Sequence, residues 1–336
     1  MSGATQFLVT GGTGFIGRYV VRRLLARGER VRVFCRDARK VSRLFGDRVE
    51  PTLGELCDRN QVLDAVRGAD VILHLGGAFQ FGRRARSSVT ATNVEGTRHL
   101  LDAARRHGVG RFVHVSSSGV LAGRGTMLTE NDFPTQVSAR EPYRRSKWLG
   151  ERAALEAARR GLPVIIASPT SPLGAEDETP TPTGRIVQDF MNGRFPFGAR
   201  VAMNFVHVDE LAAGILAVAD RGRTGERYLL GHHNVRLSEF LQLLARVAAR
   251  PGPRLTLPIS VITLAGAVGE LMGSGRVCWE TAAHARRQQW FDFSKAADEL
   301  GWQPRLALET GAREAVEWFR QPAVAQELAE AHVAAP

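Results

Sequence analysis

Tyr143 and Lys147 stand four residues apart in YRRSKWLGERAAL, a helical stretch, so both side chains project from one helix face. A phenol ordinarily ionises near ~10. An ammonium beside it favours the phenolate and makes the tyrosine an acid or base usable nearer neutral pH. The same ammonium can hydrogen-bond the ribose of a nicotinamide cofactor. A serine hydroxyl on an adjacent strand end can polarise the substrate oxygen. FVHVSSSGV offers Ser118, with Ser117 as second choice. Ser118, Tyr143 and Lys147 are therefore the candidate catalytic set, and their chemistry is hydride transfer at a carbonyl with Tyr143 moving the proton. A chance Tyr/Lys pair is common on helices, but this one follows both a glycine turn and a serine strand end.

Such a set needs a platform for the cofactor, and FLVTGGTGFIG (residues 7–17) supplies its first unit. Phe7-Leu8-Val9 reads as a buried strand. RYVVRRLLAR (18–27) reads as a helix with Val20, Val21, Leu24 and Leu25 inward and its arginines outward. Strand, glycine turn and helix open a doubly wound α/β sheet. Gly11 permits the turn, Gly14 lets backbone approach a pyrophosphate, and Gly17 allows close helix–strand packing. Gly11, Thr13, Gly14, Phe15, Ile16 and Gly17 form the expected cradle at a helix N-terminus.

Further strands are expected at 31–35, 49–53, 71–75, 112–115 and 163–167, alternating with helices that include 61–66 and 92–106, so the sheet is parallel. Ligands bind at the carboxyl ends of such strands. Arg36, just after the second strand, suits a 2′-phosphate, and Arg39 and Lys40 add charge. That predicts NADP(H), while Asp37 keeps NAD(H) open. Leu75, Gly76 and Gly77 close the fourth strand, and Ser116 the fifth. Residues 168–184 (SPTSPLGAEDETPTPTG) read as a loop. A strand is expected at 204–206, a helix at 208–219, a strand at 226–230, and helices at 237–249, 260–272, 280–287 and 309–320.

The chain has 336 residues, 44% hydrophobic, and a net charge of +11 carried almost wholly by arginine. The arginines are scattered over helices, as a solvated surface requires, and no nucleic-acid module is visible. Cys35, Cys57 and Cys278 lie far apart, so neither a metal cluster nor a disulfide framework is expected, and a reducing cytoplasm fits. The first strand is expected to start within a few residues of Met1, so no signal peptide is expected. Residues 257–269 (LPISVITLAGAVG) are too short to span a bilayer, so stable membrane insertion is not expected.

TGGTGFIG, VRVFCRD, NVEGTRHLLDAA, FVHVSSSGV, YRRSK, PTPTGRIVQDFMNGRFP and NFVHVDELAAG, in that order, resemble the atypical extended short-chain dehydrogenase/reductases. The likeness is to the dihydroflavonol-4-reductase-like and hopanoid-associated sugar epimerase groups, over residues 6 to 320. It implies a Rossmann-type parallel sheet with a smaller, mostly helical substrate lobe. Residues 1–168 would bind NAD(P), with 204–230 returning to that domain. Residues 169–203 and 231–321 would form the lobe, and 322–336 a tail. Asn93 matches the asparagine opening the family's helix, and Pro169 the proline at the nicotinamide edge. His207 and Asp209 match a structural motif. Glu55 and Leu56 stand where the family has Asp-Leu, and the longer carboxylate would reach the adenine. Gly76-Gly77 replaces alanines and would leave extra room near the cofactor. The resemblance also implies a homodimer joined by the helices of residues 92–106 and Tyr143.

Two activities follow. One is an NADPH-dependent carbonyl reductase acting on a small organic substrate. The other is a nucleotide-sugar epimerase or dehydratase with tightly held cofactor, for which Arg185, Arg194 and Arg200 are candidate diphosphate ligands. A cofactor-sensing scaffold has no use for an activated phenol. The substrate would meet residues 79–82, 121–127 and 170–183, with Phe79, Phe81, Phe195 and Phe197 as apolar contacts.

Overall fold

The computed structural model describes residues 5–79, 86–123, 127–195, 197–258, 260–261, 263–264, 268, 283, 286–287 and 289–321. The expected helices at 260–272 and 280–287 and the tail at 322–336 fall mostly or wholly outside them, as does Phe81.

In chain order the first half runs β1 (Gln6–Thr10), α1 (Phe15–Ala26), β2 (Arg30–Cys35), α2 (Ala38–Phe45), β3 (Glu50–Leu53), α3 (Arg59–Val66) and β4 (Val71–His74). α4 (Arg86–Thr90) follows, joined by a π-helical turn at Ala91–Glu95 to α5 (Gly96–Arg106). Then come β5 (Arg111–Val115), β6 (Met127–Leu128), α6 (Pro142–Arg159) and β7 (Val164–Pro169). The second half holds β8 (Ser171–Leu173), α7 (Pro182–Met191), β9 (Phe197–Ala199), β10 (Ala202–His207), α8 (Val208–Arg221), β11 (Arg227–Leu230) and β12 (His233–Arg236). It ends with α9 (Leu237–Ala248), β13 (Leu255–Leu257), β14 (Trp290–Phe291), α10 (Ser294–Leu300) and α11 (Leu308–Arg320).

Seven strands form the central sheet in the order β3-β2-β1-β4-β5-β7-β11, and all its pairs are parallel. Its inner strands are apolar on both faces, so their side chains alternate between two cores. On β1, Phe7 and Val9 join the core under α1, α2 and α8, while Leu8 joins that under α3, α5 and α6. β1 and β4 are neighbours, and the chain winds away in opposite directions from them. That places the topological switch point between their carboxyl ends.

A third core unites α7, α9 and α11 against a three-stranded sheet, β12-β10-β8. Two expectations are corrected here. The stretch 168–184 is not one loop: it completes β7, forms β8 and enters α7, because β10 offers its edge to Ser171–Leu173. The strand expected at 204–206 does not return to the large sheet. It is β10, at the centre of the small one, and only α8 and β11 return. An apolar strand carries no label for the sheet it will join.

Candidate active site

The glycine turn lies at the switch point. Gly11 has φ +70°, and a Cβ there would fall 2.7 Å from Gly76 N. A Cβ on Gly17 would fall 2.0 Å from Gly11 O. Both positions therefore demand glycine. α1 begins after Gly14 with no side-chain cap and no acid in its first turn, leaving its leading N–H groups for an anion. Gly14 is exposed, and Thr13, Phe15 and Ile16 are half-buried around it. This cradle fits a dinucleotide pyrophosphate.

Gly76 N donates to Thr10 Oγ1 at 2.9 Å, and Leu75 N to Thr10 O at 3.1 Å. The extra room expected at Gly76-Gly77 is absent. A Cβ on Gly76 would meet Thr10 Oγ1 at 2.8 Å, and one on Gly77 would meet Asn93 Oδ1 at 3.0 Å. Asn93, buried in the π-helical turn, accepts from Ala78 N at 2.7 Å and donates to Ala78 O and Ser146 Oγ, each at 2.9 Å. A turn of this kind re-aims a side chain out of helical register, which is how Asn93 reaches both the β4 loop and α6.

At the adenosine end, Arg36 is exposed with no ion partner among the described residues. Asp37 caps α2, accepting from Arg39 N at 2.9 Å. Lys40 Nζ lies 2.9 Å from Glu178. Glu55 is exposed after β3, its backbone N–H held by Gln61 Oε1 at 2.9 Å, and Leu56 packs under Gly96. Pro169 ends β7, buried beside Leu230 of β11.

The three serines after β5 have separate fates. Ser116 Oγ donates to the fully buried Glu151, so its hydroxyl is committed to the core. Ser117 Oγ accepts from Gly119 N at 3.1 Å and caps the short turn Ser118–Val120. Ser118 is 8% exposed, and its hydroxyl makes no hydrogen bond to a described residue. α6 brings Tyr143 and Lys147 to the same strand end. Lys147 Nζ donates to Val115 O at 2.7 Å. Burial pulls its pKa down to about 8, opposed by the nearby Glu151 charge. The Phe79 ring stands edge-on to Tyr143 with centroids 4.4 Å apart.

Several supports lacked a sequence signal. Arg144 donates to Gly119 O at 2.9 Å and Val120 O at 3.1 Å, tying the first turn of α6 to the Ser118 turn. Glu151 pairs with Arg227 of β11 beneath Ser116. Glu151 follows Lys147 by four residues, so a further step of the same i, i+4 reading would have found it, but not its partner. Arg18 corrects the expectation of outward arginines. It is 2% exposed and pairs with Glu176 and Glu178 at 3.4 and 3.1 Å. Of the arginines considered for a diphosphate, Arg194 is paired with Asp189 at 3.0 Å, Arg185 donates to Pro180 O at 3.1 Å, and Arg200 is exposed. Phe195 packs on the lobe core, whereas Phe197 is exposed. His207 caps α8, accepting from Asp209 N, and Asp209 takes two bonds from Arg23.

A switch-point glycine cradle beside a helix-borne Tyr/Lys pair defines an NAD(P)-dependent enzyme of the extended short-chain dehydrogenase/reductase type. The chain belongs to the NAD dependent epimerase/dehydratase family, whose model matches residues 7–231. It is 30% identical to a Synechocystis protein provisionally named a dihydroflavonol 4-reductase, over 94% of this chain and 95% of that one. It is 38% identical to sterol demethylase protein B of Methylococcus capsulatus, over 75% of this chain and 77% of that one. Among solved structures it is similar to a dTDP-glucose 4,6-dehydratase of Streptomyces venezuelae with NAD bound. That likeness has a TM-score of 0.75 and 25% identity, covering 94% of this chain and 98% of the other. No helix among the described residues is long and apolar enough to cross a membrane.

Proposed function

We propose that this enzyme reduces a carbonyl of a small organic substrate with NADPH. The observation that carries the reading is Ser118. Of the three hydroxyls at the end of β5, it alone is left without a partner among the described residues, close to the helix that bears Tyr143 and Lys147. NADPH, when bound, supplies the hydride. Ser118 donates to the carbonyl oxygen and holds it. Tyr143 passes its phenolic proton to that oxygen as negative charge develops there. Lys147, still protonated below about 8, stabilises the phenolate left behind.

The preference for the 2′-phosphorylated cofactor rests on the end of β2. Arg36 is exposed and without an ion partner among the described residues, whereas the Asp37 carboxylate is already occupied by α2. The reductase name of the Synechocystis relative agrees with the direction of the reaction. Phe79 beside Tyr143 and the sterol named by a second relative favour apolar ketones and aldehydes. The similarity to a dehydratase structure holding NAD supports a second reading, an epimerase or dehydratase that reduces and reoxidises its cofactor within one cycle.

NADPH oxidation against a panel of apolar and polar aldehydes and ketones, with NADH alongside, decides between them. Turnover with NADPH well above that with NADH is expected. No consumption of either, together with cofactor retained through purification, would replace the reductase by the second reading and move the panel to nucleotide sugars.

A further inference from the structure

The acidic segment after β8 reaches across to the cofactor-binding helices. Tyr19 Oη donates to Ala175 O at 3.1 Å. Glu176, at φ +68°, places its carboxylate 2.8 Å from Arg22. A left-handed glutamate is a strained conformation that the surrounding contacts must hold. Asp177 turns the other way, taking Thr181 N and Oγ1 at 2.8 and 2.7 Å. Glu178 reaches farthest. Its carboxylate lies 3.1 Å from Arg18, 2.9 Å from Lys40 and 3.9 Å from Arg43. Arg18 is in the first turn of α1 and also donates to Thr13 O in the glycine turn at 3.3 Å. Lys40 is in the first turn of α2, four residues beyond Arg36. The two helix starts flank the end of the cradle where an adenosine ribose would lie.

We infer that Glu178 is a specificity-determining residue for the cofactor, its carboxylate holding the lysine that a 2′-phosphate needs. The inference rests on the NADPH reading of Arg36 and Lys40. A carboxylate and a phosphate are both anions and compete for one ammonium. Bringing them together without a cation between them costs repulsion. A 2′-phosphorylated dinucleotide must therefore draw Lys40 away from Glu178. A dinucleotide with a 2′-hydroxyl leaves the pair intact. Glu178 thus lowers the advantage that Arg36 confers on NADP(H). Because Asp177 holds Thr181, the residue that caps α7, the same segment links this discrimination to the first helix of the substrate lobe.

Calorimetric titration of the full-length protein with NADP+, NAD+, 2′,5′-ADP and 5′-AMP tests this without turnover. Glu178→Gln should raise the NADP+/NAD+ and 2′,5′-ADP/5′-AMP affinity ratios roughly fivefold, the upper scale of a partly exposed ion pair, because the Arg18 contact it also loses bears on all four ligands alike. Lys40→Gln should erase that gain. Glu176→Gln, the same charge change beside Arg22 and Arg18 but away from Lys40, should leave the NADP+/NAD+ ratio alone. Equal shifts for both cofactors in Glu178→Gln, or no shift, would overturn the inference. Arg36→Ala separates the two levels. If it leaves the ratio unchanged, the 2′-phosphate reading itself fails. If it weakens NADP+ alone while Glu178→Gln changes nothing, only the role of Glu178 falls.

Discussion

In the proposed reduction Tyr143 and Ser118 divide one task, and their variants should divide accordingly. Tyr143→Phe removes the proton and keeps the ring that packs against Phe79. Carbonyl reduction should fall by about 10²–10⁴-fold, the usual scale of general acid catalysis. NADPH affinity, read by fluorescence titration, should barely change; lost affinity would place Tyr143 in cofactor binding instead. Ser118→Ala should lower kcat comparably, while Ser117→Ala, which removes only the cap on Gly119 N, should cost much less. In the same reading Lys147 should set the alkaline limit. Its pKa is depressed chiefly by burial, so the ammonium is lost as pH rises past about 8, and kcat/KM should fall there. The placement of Tyr143 and Lys147 together was legible because they are neighbours on one helix. The sequence already offered Ser118; the fold adds what occupies Ser116, since the buried Glu151 that takes its hydroxyl is 35 residues away.

Between elements, the site depends on two polar clamps. Arg144 joins the start of α6 to the turn after β5, and Asn93 joins the π-helical turn to the β4 loop and α6. Asn93→Ala leaves Ala78 N, Ala78 O and Ser146 Oγ each short of a partner. The cost should be about 1–3 kcal/mol in urea unfolding, together with weaker NADPH binding as the Gly76–Ala78 backbone loosens. Ser146→Ala breaks only one of those bonds and should cost less than Asn93→Ala. Equal costs would show that Asn93 does not bridge. The pattern NVEGT announces a helix, and helical periodicity covers 92–106. Nothing in that pattern announces the local widening to a π-turn, because it arises from the competing demands of Ala78 and Ser146.

Across the whole molecule, the central sheet encloses two histidines that stay neutral. His74 bonds Thr10 Oγ1 at 2.7 Å and Thr97 Oγ1 at 3.0 Å. His114, 5.4 Å away between ring centroids, is 2% exposed with neither ring nitrogen bonded to a described residue. Burial, reinforced by the Lys147 charge, lowers His74 to about 3 and His114 well below its ordinary value. The unfolded chain therefore binds more protons than the folded one from pH ~6.5 down to the folded values. Stability should fall as pH drops through 6.5, by up to ~1.4 kcal/mol per pH unit for each histidine. Asp177, raised by burial to about 6, acts with the opposite sign but is common to any pair of variants. A His114→Leu protein should thus show a shallower loss of Tm between pH 6.5 and 5 than the parent. Matching slopes in calorimetry would refute a neutral buried His114.

Short-range pattern determined the parallel sheet, the glycine cradle and the Tyr143/Lys147 pair, because each is written within a few residues: the apolar run of β1, Gly11 to Gly17, and four residues of α6. Tertiary structure alone decided which sheet β10 joins, which serine hydroxyl is left without a partner among the described residues and why Arg18 is buried. The ion pairs of Arg18 with Glu178 and of Glu151 with Arg227 span 160 and 76 residues. A charge at such separation finds its partner only after chain packing has removed both from water, and that desolvation leaves no periodic trace in the sequence.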